Sequence, residues 1–196
     1  MTEVTATPSQ RRTAAETREH VLDVANELFY WQGIRAVGVD TVAREAGVAP
    51  TTLYRLFANK DDLVAAYVDR AAERYRAWFR DAVARGSTPR DRILTLFEAL
   101  AEQVQPGQCR GCPFLMALAE CPDVAAPMHQ SAVALKSWVR DEIAALTHQL
   151  VDAGAAEALA DELTLVMEGV YASVHALGVD GPARQAGAFV ARLIPG

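Results

Sequence analysis

The sequence has no run of 18 apolar residues, so none of its hydrophobic content reads as a membrane-spanning helix. Its first ten residues, Met1 to Gln10, are polar and hold no hydrophobic signal core, and secretion is not expected. Cysteine is scarce and odd in number: Cys109, Cys112 and Cys121 make no disulfide framework, and the expectation is a cytoplasmic protein. Positive charge is also short, with 19 Lys and Arg against 25 Asp and Glu, a net −6. The deficit is uneven. Residues 1–60 carry seven basic and seven acidic side chains, so all of it falls in residues 61–196. A nucleic-acid contact in the first sixty residues would have to come from local placement of charge, with the acidic remainder limiting non-specific adhesion. No nucleophile–base set, phosphate loop or carboxylate pair at a defined turn is present, so an enzyme is not indicated and no cofactor is expected. Strand alternation and solenoid repeats are missing too.

What the sequence does have is apolar residues at helical spacing. Val21, Leu22, Ala25, Leu28 and Phe29 predict an amphipathic helix from Thr13 to about Gln32, stopped by Gly33. Asn59 caps a start at Lys60, with Asp61 and Asp62 at the positive end of the dipole. That helix runs to about Arg85 and carries Leu63, Tyr67, Ala71, Tyr75, Trp78 and Phe79. Breaks at Gly86–Pro89 and Pro106–Gln108 delimit a helix ending near Gln105. A short one follows from Phe114 to Glu120. A long one is expected from about Met128 to Ala153, ended by Gly154. The last two are Ala155 to about Leu177 and Pro182 to Leu193. The fold class is all-α, with about nine helices.

Between Gly38 and Leu63 lie two very short helical patterns and a tight turn. Val42, Ala43 and Ala46 form the apolar face of the first, and Leu53, Leu56 and Phe57 that of the second. Gly47 sits where the first must stop in a left-handed conformation. Val48 is an apolar plug, and Pro50 fits the first turn of the second helix. Helices this short need a scaffold, because nucleation is costly. The Thr13–Gln32 helix is that floor, closed by Ile34 and Val37. A helix–turn–helix presenting Thr51, Thr52, Tyr54 and Arg55 outward fits the major groove of DNA.

The segment from Thr13 to about Tyr75 resembles the DNA-binding domain of the TetR family of transcriptional regulators. The likeness rests on the Ala43…Ala46-Gly47-Val48 turn, on Thr52-Leu53-Tyr54-Arg55-Leu56-Phe57, and on Lys60-Asp61-Asp62-Leu63. The remainder more loosely resembles the family's helical ligand-binding and dimerisation domain, with Gly111-Cys112-Pro113-Phe114 and Glu120…Pro122 similar to one subgroup. The expected organisation is an arm at 1–12, a DNA-binding domain at 13–75 and a ligand and dimerisation domain at 76–196. Arg11 and Arg12 end the arm; they are either solubilising or turned to DNA. The sequence departs from the family at Ala49, where Ser or Thr commonly caps the reading helix. Thr51, Thr52 or a phosphate would then have to satisfy the free amides, and the missing cap costs about 1 kcal/mol.

The resemblance implies a homodimer on a double-stranded, near-palindromic operator, acting as a repressor that a small-molecule effector releases. It places Thr41, Thr52, Tyr54 and Lys60 on phosphates. A cation at the start of a helix opposes the dipole, and a phosphate near Lys60 would remove that conflict. Pro50 and Thr51 suit a thymine methyl; Arg55 suits guanine or a phosphate; Arg44 suits a base edge or the backbone. Candidate walls of an effector pocket are Trp78, Phe97, Phe114, Met116, Trp138, Met167, Tyr171 and His175, which suits a hydrophobic or aromatic molecule. The last two helices are expected to pair with their copies in a four-helix interface. Cys109-x2-Cys112, with Cys121 and His129 downstream, leaves a redox or metal sensor open as the alternative.

Overall fold

The computed structural model describes residues 12–105, 107 and 109–195. Nine α-helices and one 3-10 turn make up its regular structure among these residues. They are α1 (Ala14–Gln32), α2 (Val39–Glu45), α3 (Pro50–Leu56), α4 (Lys60–Ala84), α5 (Pro89–Gln103), α6 (Pro113–Glu120), α7 (Pro127–Thr147), α8 (Ala153–Leu177) and α9 (Ala186–Leu193), with the 3-10 turn at Pro182–Gln185. Arg12 is described, and the rest of the expected N-terminal arm lies outside the described residues. By packing, the chain divides into two compact units after Leu63, within α4. The division expected from the sequence, at 75/76, falls about three turns further along the same helix. α4 has no internal break, so periodicity alone gives no sign of where along it the partners change.

In the first unit, Thr13 caps α1. Its side chain accepts from the Glu16 amide at 3.2 Å, and the Glu16 carboxylate accepts from the Thr13 amide at 2.7 Å. That is a reciprocal capping box. Hydrogen bonds from both the backbone and the side chain of Thr13 hold the Glu16 carboxyl below the usual carboxylate range. Val21, Leu22, Ala25 and Phe29 point inward from α1. Ile34, Val37, Val42, Ala43, Ala46, Leu53 and Phe57 complete the core.

In the second unit, Thr88 and Asp91 cap α5 in the same reciprocal way, and the Ser87 hydroxyl adds a third bond to the Asp91 carboxylate. Just before it, Gly86 lies so close to the backbone of Arg92 that a Cβ would sit 2.3 Å from the Arg92 nitrogen. The break at Gly86 is therefore enforced by close approach rather than by φ. α7 packs on α8 and α6, and α5 packs on α7 and α9. Phe79, Phe97, Phe114, Ile93, Leu96, Leu100, Leu135 and Ile143 are the large, fully buried side chains here.

Two boundaries differ from the sequence reading. α7 ends at Thr147, not Ala153, and Gly154 lies inside the first turn of α8. Thr147 is fully buried, and its hydroxyl donates across the corner to Ala156 O at 2.8 Å. The turn is thus held by a buried side chain and by the extended Asp152, with no glycine or proline inside it. The last expected helix, 182–193, begins as a 3-10 turn and becomes α-helical only at Ala186.

Candidate functional site

The turn between α2 and α3 is built as its sequence demands. Gly47 has φ +64, the left-handed conformation that glycine adopts without strain. Its amide donates to Arg44 O at 3.1 Å, and the Val48 amide reaches back to Ala43 O at 3.0 Å. This pair of bonds is the Schellman motif, and it satisfies carbonyls left open at the end of α2. Leu53 is fully buried, Phe57 nearly so, and Leu56 half-buried. Pro50, Thr51, Tyr54 and Arg55 are exposed on the other side of α3, and Thr52 is half-buried at its edge. Tyr54 leaves 49 % of its surface to solvent, a large value for an aromatic with no structural need to be outside. Thr41 and Lys60 are half-buried and Arg44 is exposed. Both the Nε and the Nη2 of Arg44 reach Glu45 Oε1 at 3.2 Å, so its charge is partly offset in the free protein.

Ala49 is the N-cap of α3 and gives it no side-chain hydrogen bond. The helix end is nevertheless less exposed than the residue type implies. Pro50 has no amide, and the Thr52 and Leu53 amides both donate to Ala49 O, at 2.9 and 3.2 Å. Asn59 caps α4 as expected, its side-chain oxygen accepting from the Asp62 amide at 2.9 Å.

Two residues that carried no signal in the sequence fix this head from α1. His20 Nε2 lies 3.0 Å from Ala46 O, the C-cap carbonyl of α2, and therefore carries the proton that it donates there. The Arg18 guanidinium sits 5.1 Å from the centre of the Phe57 ring, at the C-cap of α3. One turn of α1 thus reaches the ends of both short helices. Helical spacing marks which side chains of α1 face inward, but not which backbone oxygen or ring they meet.

In the second unit, the expected pocket residues separate. Phe97, Phe114, Met167 and Tyr171 are buried; Trp78, Met116 and Trp138 are half-buried. His175, expected beside Tyr171, is exposed, and in that last turn of α8 only Val174 is buried. Trp138 packs edge-on against Phe79 at 5.2 Å and lies under the guanidinium groups of Arg76 and Arg80. Burial pushes the Cys112 thiol up, which works against a reactive thiolate. His129 Nδ1 bonds the carbonyl of Cys121, not its sulfur, at 2.9 Å. Among the described residues no three His, Cys, Asp or Glu side chains gather as a metal-ligand group. No helix is long and apolar enough to cross a membrane among the described residues.

The family model for bacterial regulatory proteins of the tetR family matches residues 21–67, the span that holds this head. Across nearly the whole chain the fold is similar to SCO4454, a TetR-family transcriptional regulator from Streptomyces coelicolor. The identity is 31 %, the TM-score 0.86, and the match covers 91 % of this chain and 94 % of that one. A TetR transcriptional regulator from Chloroflexus aurantiacus is similar at 26 % identity and a TM-score of 0.78, over 93 % of this chain and 96 % of that one. In sequence, the HTH-type transcriptional regulator YjdC of Escherichia coli is 28 % identical over 156 residues, 78 % of this chain and 80 % of the relative. These relatives are regulators, not enzymes. With its left-handed glycine turn, its outward-facing α3 and this likeness over 91 % of its length, the chain belongs to the TetR family and is a DNA-binding transcriptional regulator.

Proposed function

We propose that the protein is a cytoplasmic, dimeric repressor that leaves a near-palindromic operator when a small hydrophobic molecule enters its helical domain. The observation that carries the DNA-reading part is the two-sidedness of α3: Leu53 and Phe57 are buried while Pro50, Thr51, Tyr54 and Arg55 are exposed. In this reading α3 enters the major groove. Pro50 and Thr51 meet a thymine methyl, Arg55 meets guanine or a phosphate, and Thr41, Arg44, Thr52, Tyr54 and Lys60 hold the backbone around it. The reading domain is taken to run over 13–75 and the effector and dimer domain over 76–196.

Dimerisation is supported by the outer face of α8 and α9. Ala158, Glu162, Leu165, Gly169, Ala172 and Ala176 are all exposed and recur at spacings of four and three, with Phe189 beside them on α9. Leu165 is 72 % exposed, which is unusual for a leucine inside a helix that packs well elsewhere. A groove of about 330 Å³ lined by Gly169, Val170, Ala183 and Phe189 runs along this face. A second copy would cover it and fix the spacing of the two reading helices.

Selection from fragmented host DNA tests the reading. Enrichment of a near-palindrome, bound as a dimer and weakened steeply by salt, is the expected result. An absence of enrichment at low salt, or binding by a monomer to a single half-site, would sink it.

A further inference from the structure

A polar cluster in the second unit runs from buried Tyr75, Cys112, Met167 and Tyr171 out to half-buried Lys136 and Glu168 and exposed Gln103. α4 supplies Tyr75, α5 Gln103, the N-cap of α6 Cys112, α7 Lys136, and α8 Met167, Glu168 and Tyr171. The Tyr171 hydroxyl donates to Gln103 Oε1 at 2.7 Å. The Tyr75 hydroxyl donates to the Met167 sulfur at 3.5 Å, and a thioether is a weak acceptor. Lys136 is paired with Glu168 Oε1 and also hydrogen-bonds the Cys112 sulfur. The other oxygen, Glu168 Oε2, is buried and has no hydrogen-bond partner among the described residues. Aromatic walls stand beside Tyr75: Phe114 lies edge-on to its ring at 5.7 Å, and Trp78 is tilted against it at 4.9 Å.

A buried carboxylate oxygen without a donor is a costly feature to keep in a core. Lys136 already neutralises the charge of Glu168, so a second cation would be repelled, and a neutral O–H or N–H group is the better complement. The Tyr75 hydroxyl shares a hydrogen bond with Tyr171 and gives its proton to sulfur, a weak acceptor, so that proton can turn to a stronger one. A single group that both donates to Glu168 and accepts from Tyr75 is a hydroxyl. Burial pushes both tyrosine hydroxyls well above their ordinary range, so both remain donors at any physiological pH. The Lys136 and Glu168 side chains keep 21 and 26 % of their surface open, so the ion pair forms a wet edge of the cluster.

We propose that Glu168 and Tyr75 form the polar end of the effector site and select a small, neutral, hydroxyl-bearing molecule with an aromatic or apolar body, its hydroxyl donating to Glu168 Oε2 and accepting from Tyr75. The inference rests on the ligand-responsive reading above and names the ligand chemistry. Gln103 holds Tyr171 in place beside the site, and Phe114 and Trp78 flank the body.

The test titrates the full-length, DNA-free protein with 4-propylphenol and with 4-propylanisole, its methyl ether, by calorimetry. The ether has nearly the same shape and cannot donate. The phenol is expected to bind at least about tenfold more tightly, because a site built to pair a hydroxyl rejects the analogue that lacks one. Tyr75→Phe and Glu168→Ala should each narrow that gap; Tyr75→Phe removes only a hydroxyl and keeps the assignment testable if Glu168→Ala does not fold. Equal binding of phenol and ether, a gap unchanged in Tyr75→Phe, or no binding of either up to about 1 mM would overturn the proposal. Operator release is measured separately. Phenol that binds without releasing DNA sinks the effector reading and leaves the site standing. Release by the ether as readily as by the phenol sinks the site and leaves the effector reading.

Discussion

The uncapped start of α3 gives a prediction whose size follows from the structure. Ala49→Ser places an acceptor at an N-cap already in the extended conformation such caps need, with φ −65 and ψ 142. Of the first four positions of α3, Pro50 has no amide, and the Thr52 and Leu53 amides are bonded to Ala49 O. The new hydroxyl therefore gains chiefly the Thr51 amide, and the stabilisation should fall at the lower end of the cap range, about 0.5–1 kcal/mol. It is measured by urea unfolding followed by far-UV circular dichroism, as a raised midpoint at unchanged slope. Ala49→Asp supplies the same acceptor with a negative charge. In the free protein that charge suits the helix dipole, so the gain should be at least as large. On DNA it faces the phosphates, and affinity should fall roughly tenfold at low salt, less as salt screens the repulsion. An unchanged midpoint in Ala49→Ser would refute the account of the helix end. Undiminished DNA affinity in Ala49→Asp would show that the start of α3 does not face the duplex.

Other outcomes can be checked in the same assays. Gly47→Ala should cost about 1–2 kcal/mol of stability from the left-handed backbone alone, since nothing lies within 4 Å of the added Cβ; Gly47→Asn should lose less. His20→Leu strips the donor from Ala46 O and should destabilise by about 1–3 kcal/mol, with His20→Gln recovering part of it in the same urea melts. Lys60→Ala should weaken all DNA sequences alike and reduce the salt slope by about 0.9, whereas Arg55→Ala should relax preference at one base position at a cost of about 1–3 kcal/mol, both read by competition binding. The Glu16 and Asp91 carboxyls lie below their ordinary range, held down by hydrogen bonds from Thr13 and from Ser87 and Thr88. Their contribution to stability is complete above the unfolded-state carboxylate range and is lost as pH falls through the lowered folded-state values, so removing Thr13 or Thr88 should flatten the acid limb of a pH–stability profile.

Features that depend on neighbours along the chain are legible in the residues alone. Gly47 stops α2 in the left-handed region, Asn59 caps α4, Ala49 leaves α3 without a side-chain cap, and the apolar spacing of α1 to α3 names the residues that turn inward. Each of these is decided within about four residues, which is the reach of a helical hydrogen bond. The rest follows from packing between helices far apart in the chain. The α7–α8 corner is held by Thr147 bonding Ala156, so it needs neither glycine nor proline, and the nearby Gly154 lies inside α8 rather than at a helix stop. His20 meets a carbonyl 26 residues away and Tyr75 meets a sulfur 92 residues away, pairings for which periodicity carries no code. His175 lies four residues from Tyr171, yet Tyr171 is buried and His175 is exposed. Local backbone geometry is written in the residues themselves. Which side chains end up buried together, and which buried oxygen is left without a partner, depends on where distant helices come to rest.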